Sequence, residues 1–345
     1  MHKVTYLPLH GGKAPRWLFS RMVKLGEKIS NVIIDEYGAD ELLARLTDPN
    51  WFQALSCALG YDWHSSGTTT VTMGALKEAL RESREIVIAG GKGKAGINTP
   101  NEIRDLSDGI SAGNEEKLIE YSRLAAKVDG SMVYDNISIY HHSFIFTKKK
   151  WGIVQQAMEN RGTMAIRFQW NSDNVDEKDF ANEPHTGIDA NKSKESLDLT
   201  YEKNEWSRKG LVEALQELNE SNAIIYPERH AIIQRLDLSE KGMEVLRKAY
   251  DMDPRDYKEL LLIKGVGRST IRSLAMVASL IYNKELAMRD PVLYAYNVGG
   301  KDGIPYRISR SHYDSIIESM DYITDKANLP KEEKYAVLKR LGSSF

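Results

Sequence analysis

Three groups of side chains in this chain could do chemistry by their type and spacing. The first lies in YDWHSSGTTT (61–70), a polar stretch between two apolar segments. Asp62, His64 and the neighbouring hydroxyls, on a loop or strand end, could hold a metal or a phosphate. An alternative stays open: Asp62, Ser65 and Ser66 could cap a helix from Met73 to Ser83. The second group is Asp129, Asp135, His141 and His142, followed by Gln155 and Gln156. On neighbouring strands such groups could bind a divalent cation and activate water for phosphodiester hydrolysis. Asp62, His64, Asp129, Asp135, His141 and His142 are therefore the candidate catalytic residues, with Asp62, His64, Asp135 and His141 as metal ligands for magnesium or manganese. A hydrogen-bonded structural core is the other reading of the same side chains.

The third group is Lys264-Gly265-Val266-Gly267-Arg268-Ser269, with Arg272 one turn further on. Gly265 must end a helix, Val266 points to the core, and the glycines let the backbone approach a ligand. Arg268 and Ser269 then open a second helix, whose unpaired N–H groups favour a phosphate. The triplet Gly-Gly-Lys occurs three times, and makes Gly12, Lys13, Gly91, Lys92, Lys94 and Lys301 phosphate-loop candidates. The strand-then-glycine order at 86–94 lacks the Gly-Lys-Ser/Thr ending of a nucleotide-binding loop, so no nucleotide cofactor is expected.

The elements that must position these groups divide the chain. Helices are predicted from Pro15 to about Tyr37, from Ala39 to Leu46 and from Glu115 to Lys127, by apolar recurrence at helical spacing. Ile86 to Ala89 reads as a short buried strand. Ile137 to Phe146, Trp151 to Met158 and Met164 to Trp170 read as an antiparallel meander. Its alternation puts Ile139, His141, Ser143 and Ile145 on one face and Tyr140, His142, Phe144 and Phe146 on the other, with Gln155 or Gln156 across the hairpin. The acidic stretch 171–203 reads as a surface excursion and domain boundary, from which Glu183-Pro184-His185 could fold back to the site. Beyond it, Trp206–Leu218, Ser239–Tyr250, Ser311–Ala327 and Lys331–Leu341 are predicted helices. The fold class is thus α+β (or α/β): a mixed domain over 1–195 and an all-helical domain over 196–345, with the hairpin at 255–282.

Composition limits the partners. The chain has 345 residues, a formal net charge of −2, 41% hydrophobic and 28% charged residues, which reads as a soluble globular protein long enough for two cores. A chain this close to neutrality can meet DNA only through a local patch. The single cysteine, Cys57, excludes a disulfide framework and a zinc cluster built on cysteines. With no leader and no membrane-length apolar run, a cytoplasmic location and no membrane partner are expected.

The pattern from Tyr257 to Tyr282 resembles the helix-hairpin-helix motif of DNA repair and recombination proteins. The resemblance implies that Gly265, Gly267 and the Ser269 amide hold a DNA phosphate without reading sequence, and that Lys264, Arg268 and Arg272 add charge. Val128-Asp129-Gly130-Ser131 followed by strands resembles the opening of ribonuclease-H-like nucleases, which implies a first-strand metal ligand at Asp129. Asp290 stands at the remove of the catalytic Asp in helix-hairpin-helix glycosylases. Ser269 occupies the position of the lysine in their bifunctional members, so the glycosylase alternative is monofunctional. Over nearly the whole length, GGKAPRWL, DWHSSGTTT, AGGKGK, YHHSFIF, WGIVQQ and GGKDGIPY resemble an archaeal and bacterial domain-of-unknown-function family, number 763. Together these readings predict a DNA-binding protein of repair or recombination, foremost a metal-dependent nuclease. The alternatives are a non-catalytic DNA-binding adaptor and the glycosylase.

Overall fold

The computed structural model describes residues 14–59, 66–108, 110, 115–133, 137–159, 165–189, 196–220, 240–268, 270–272, 274, 275, 278, 288, 289, 314 and 317. It is a mixed helical and antiparallel-sheet structure. Four helices come first: α1 (Arg16–Tyr37), α2 (Ala39–Leu46), α3 (Pro49–Ala58) and α4 (Ser66–Ala79). Then follow β1 (Ile86–Lys92), α5 (Lys94–Ile97), α6 (Thr99–Leu106) and α7 (Glu115–Val128), which runs into a π-helical turn, Asp129–Val133. The strands β2 (Ile137–Thr147), β3 (Trp151–Glu159), β4 (Ala165–Asn171) and β5 (His185–Asp189) complete a five-stranded antiparallel sheet in the order β1-β2-β3-β4-β5. After β6 (Ser196–Leu197) come α8 (Glu205–Lys209), α9 (Leu211–Glu220), α10 (Glu240–Asp251), α11 (Tyr257–Leu262) and β7 (Met288–Arg289), which pairs with β6. Among the described residues no helix is long and apolar enough to cross a membrane.

Strand alternation feeds two separate cores. Ile86, Ile88, Ile145 and Val154 face α1 to α4, where Leu18, Met22, Leu43, Leu46, Phe52 and Leu76 are buried. Val87, Phe144, Phe146, Ile153, Phe168 and Trp170 face the other way, towards α7, α9 and α11. With both faces covered, every residue of β4 is buried. The second core is continuous across position 195: Leu199, Leu211, Tyr257, Leu260 and Val266 belong to it together with Val87 and Phe144. Asp314 is likewise tied to α1 by two hydrogen bonds from Arg21, at 2.7 and 2.8 Å.

Several local expectations need correction. The polar stretch at 66–70 is not a loop before a later helix. Ser66 opens α4, and Thr68, Thr69 and Thr72 are buried on its inner face. Glycines 90 and 91 are not a loop either, since β1 continues through Lys92, pairing Gly91 with His142 and Lys92 with His141. Gly90 adopts φ +88°, and a Cβ there would lie 2.3 Å from the His142 carbonyl oxygen, so only glycine fits. A β-bulge at Tyr140 shifts the alternation, so that Ile139 packs with the phenylalanine face and not with His141. The stretch 171–203 is no free excursion, because it supplies β5. A sequence of five residues with one aliphatic side chain, His185–Asp189, carries no alternation signal. It reaches the sheet edge because Gly187 admits the Pro49 ring of α3.

That contact is testable. A Cβ at position 187 would fall 1.9 Å from Pro49 Cγ. Gly187→Ala is expected to lower stability by about 1–3 kcal/mol, in the manner of an overpacked core. A urea-unfolding midpoint equal to the wild type would refute the packing of α3 on β5.

Candidate functional site

Adjacent residues of β2 enter opposite interiors, and each anchors a polar constellation. Towards α7 lies a closed network. His142 Nδ1 is 2.7 Å from Gln155 Oε1, and His142 Nε2 is 2.8 Å from Ser122 Oγ. An amide oxygen only accepts, so Nδ1 carries the proton and Nε2 accepts from the serine hydroxyl. Gln155 Nε2 in turn donates to Asp129 Oδ2 at 2.5 Å and to the Ala125 carbonyl at 3.3 Å. Trp170 Nε1 donates to the same Asp129 oxygen at 2.9 Å, and His185 Nε2 lies 2.6 Å from Oδ1. Burial pushes the His142 imidazole down to about 4, which keeps it neutral as the network requires. Burial also raises the Asp129 carboxyl above its ordinary range, opposed by His185, Trp170 and Gln155.

The register expected across the hairpin is met, with His141 opposite Gln156 and His142 opposite Gln155. Asp129, however, stands on the π turn that ends α7 and not on a first strand, which removes the ground for the ribonuclease-H-like placement. His185 does fold back, from β5, to reach Asp129. Trp170 was not singled out as a site residue. Its only signal was a ring N–H on a side chain that β-alternation sends into the core.

Towards α4 lies a polar row, buried except at Lys92. Lys92, His141, Gln156 and Arg167 are successive cross-strand partners over β1 to β4, and the backbone of Asp189 in β5 pairs with Arg167. Gln156 is held by Thr69, by the Tyr140 hydroxyl and by the Ser66 carbonyl, the last at 2.7 Å. Arg167 is fully buried, stacks 4.9 Å from the Phe52 ring and donates to Gln169 and Gln53. Lys92 is exposed and sits 5.9 Å over the Tyr140 ring. His141 is 1% exposed. Its Nε2 lies 2.9 Å from Ser143 Oγ, while Nδ1 has no partner among the described residues. Burial, then His142, Lys92 and Lys77, drive its imidazole down to about 3. Thus three stretches that the sequence singled out separately, 66–70, 90–92 and the histidine–glutamine pairs of 140–143 and 155–156, meet at one end of the sheet.

These residues do not by themselves make a cation site. Among the described residues no group of three or more His, Cys, Asp and Glu side chains could hold a metal ion, and buried Arg167 beside Gln156 opposes one. Asp62, His64 and Asp135 lie outside the described residues, as do Gly12, Lys13, Ser269, Asp290 and Lys301. Of the phosphate-loop candidates, Lys94 opens α5 and is exposed. Gly91 is committed to the strand ladder. The backbone of Gly90 is committed as well, its N–H to Glu102 at 2.8 Å and its carbonyl to Lys77 at 2.7 Å.

The hairpin stands apart from both constellations. The N-cap of α11 is Asp256, whose carboxylate accepts from the amides of Lys258 and Glu259, and Asp253 adopts φ +47° in the preceding turn. Gly265 adopts φ +104°, Lys264 and Gly265 are exposed, and Val266 is fully buried. Helical residues follow from Arg268. Arg268 turns inward to the Ile137 carbonyl and Arg272 is 5% exposed, so neither side chain extends freely into solvent. Lys127 of α7 donates to the Val266 carbonyl, and burial lowers its pKa.

The chain belongs to the family described as Protein of unknown function (DUF763), which matches residues 3–308. Comparison with curated proteins and with solved structures finds no match.

Asp129 accepts three hydrogen bonds in full burial, so its role is testable as structure against chemistry. Asp129→Asn turns a donor against one of those three donors and is expected to cost about 2–4 kcal/mol. A variant that keeps wild-type stability in chemical denaturation would refute the structural role.

Proposed function

We propose that this chain is a DNA-binding protein of the helix-hairpin-helix kind, which grips the phosphate backbone without reading sequence and acts in DNA repair or recombination. The observation that carries this reading is the turn at 264–267. Positive φ at Gly265 and full burial of Val266 leave the Lys264 side chain and the surrounding backbone on the outside. Such a turn before a helix start suits an anion. Because Arg268 and Arg272 are engaged inside the protein, the charge on offer comes chiefly from Lys264, and the grip rests on backbone amides. A helical C-terminal part built around this hairpin belongs to the same reading.

A second reading, a metal-dependent nuclease using magnesium or manganese, is favoured by one observation: the buried His141 nitrogen that has no partner among the described residues. Since the described side chains do not complete a metal site, that reading needs Asp62, His64 or Asp135. Without it the protein is an adaptor that binds DNA and leaves it intact, or a glycosylase centred on Asp290.

Lys264→Gln is expected to weaken binding to duplexes of unrelated sequence alike. It should make the slope of log affinity against log salt shallower by about 0.9, the effect of one lost phosphate contact. Loss confined to one sequence would contradict a backbone grip. Incubating labelled duplex and single-stranded DNA with magnesium, manganese or chelator tests the chemistry. Strand breaks that chelator abolishes are the nuclease's expected result, and intact DNA under all three conditions would sink that reading.

A further inference from the structure

A cleft of about 430 Å³ opens between α7 and the β2–β3 turn. Lys148, Lys149 and Lys150 of the turn and Lys117 of α7 line it, over a floor made by Tyr121 stacked 5.0 Å from Trp151. Two carboxylates, Asp173 and Glu177, also line the cleft, and both are engaged. Asp173 accepts from Lys150 at 2.6 Å and Glu177 from the Tyr121 hydroxyl at 2.8 Å. Lys148 and Lys149 are exposed at the tip of the turn. The cleft therefore presents net positive charge beside aromatic surface, a combination that suits a nucleic-acid strand.

Its position relative to the hairpin is fixed by direct bonds. Lys258 of α11 donates to the Glu177 carbonyl at 2.7 Å, and the Tyr257 hydroxyl donates to Asp179 at 2.9 Å. The helix α7 carries Lys117 and Tyr121 into the cleft and, ten residues beyond Lys117, brings Lys127 to the hairpin carbonyl of Val266. Ten helical residues span about 15 Å. That is about four steps along one strand of a duplex at 3.4 Å each.

We propose that the lysine cleft is a second phosphate-binding point for the DNA held by the hairpin. The protein then contacts one nucleic acid at two places set by the length of α7. This inference rests on the hairpin reading.

The test compares salt dependence of DNA binding in the wild type, in Lys148→Gln/Lys149→Gln, in Lys264→Gln, and in Arg16→Gln/Lys209→Gln, which removes two exposed charges elsewhere. The cleft variant is expected to bind several-fold more weakly, with a slope shallower by about 0.9–1.8 for one or two lost phosphate contacts, while the control pair leaves the slope unchanged. A cleft variant with the wild-type slope, alongside a weakened Lys264→Gln, overturns the cleft and leaves the hairpin standing. A wild type that binds no DNA overturns both. Titration with adenosine monophosphate, read by tryptophan fluorescence, separates the sources of phosphate. A signal lost in the cleft variant while its DNA slope stays unchanged would make the cleft a small-molecule site and overturn the proposal.

Discussion

A sheet covered by helices on both faces leaves no water for the polar side chains it carries, so each must find its partner inside the protein. That constraint organises the middle of this molecule. The chain Ser122–His142–Gln155–Asp129–His185 meets it, with donor and acceptor roles fixed from Ser122 to Asp129. It draws on α7, the π turn after it and the strands β2, β3 and β5, while Trp170 adds β4. The network therefore specifies how α7 lies on the sheet, a level of definition that apolar contacts alone do not supply. The aromatic floor next to it, in which Trp151 lies 5.8 Å from Phe144 and 6.0 Å from Phe180, fills the space that the polar chain leaves.

The hairpin inherits its position from this arrangement. Its turn is held by Lys127 at the end of α7, and the helix after the turn by Arg268 at the start of β2. Tyr257, at the start of α11, donates to Asp179 and accepts from the Ala181 amide. Burial raises the Tyr257 hydroxyl pKa, so it stays protonated and keeps that donating role. Arg268, expected to add charge beside a phosphate, is held in this docking, and Arg272 is 5% exposed. The result is a turn whose orientation is set by direct bonds to α7 and β2.

Much of this was legible in the sequence, for reasons tied to particular residues. The long helices declared themselves by Leu18, Met22, Leu25 and Ile33 at helical spacing, and the turn at 264–267 by two glycines around a buried valine. The meander was legible from alternation, and so was the pairing of the histidines with the glutamines. What escaped was set by tertiary contact. Thr68, Thr69 and Thr72 carry poor helix propensity, yet α4 starts before them because they bury against the sheet. The strand β5 depended on the fit of Gly187 to Pro49, and the inward turn of Arg268 on a carbonyl 131 positions away. No local pattern encodes either.

The two polar constellations differ in one respect that bears on function. The α7 side is closed, and its donors and acceptors are accounted for. On the α4 side His141 keeps a ring nitrogen without a partner among the described residues, and so does the Thr72 hydroxyl, both in full burial. The tautomer of His141 does not remove the deficit. If Nε2 donates to Ser143 then Nδ1 is a bare lone pair, and if Ser143 donates then Nδ1–H is an unanswered donor. An unsatisfied buried nitrogen costs on the order of 1–3 kcal/mol. Burial first, then His142, Lys92 and Lys77, keep the imidazole neutral, so the ring can accept a hydrogen bond or ligate but is poorly placed to supply a proton. Of the two adjacent histidines, one is satisfied completely and the other only halfway among the described residues.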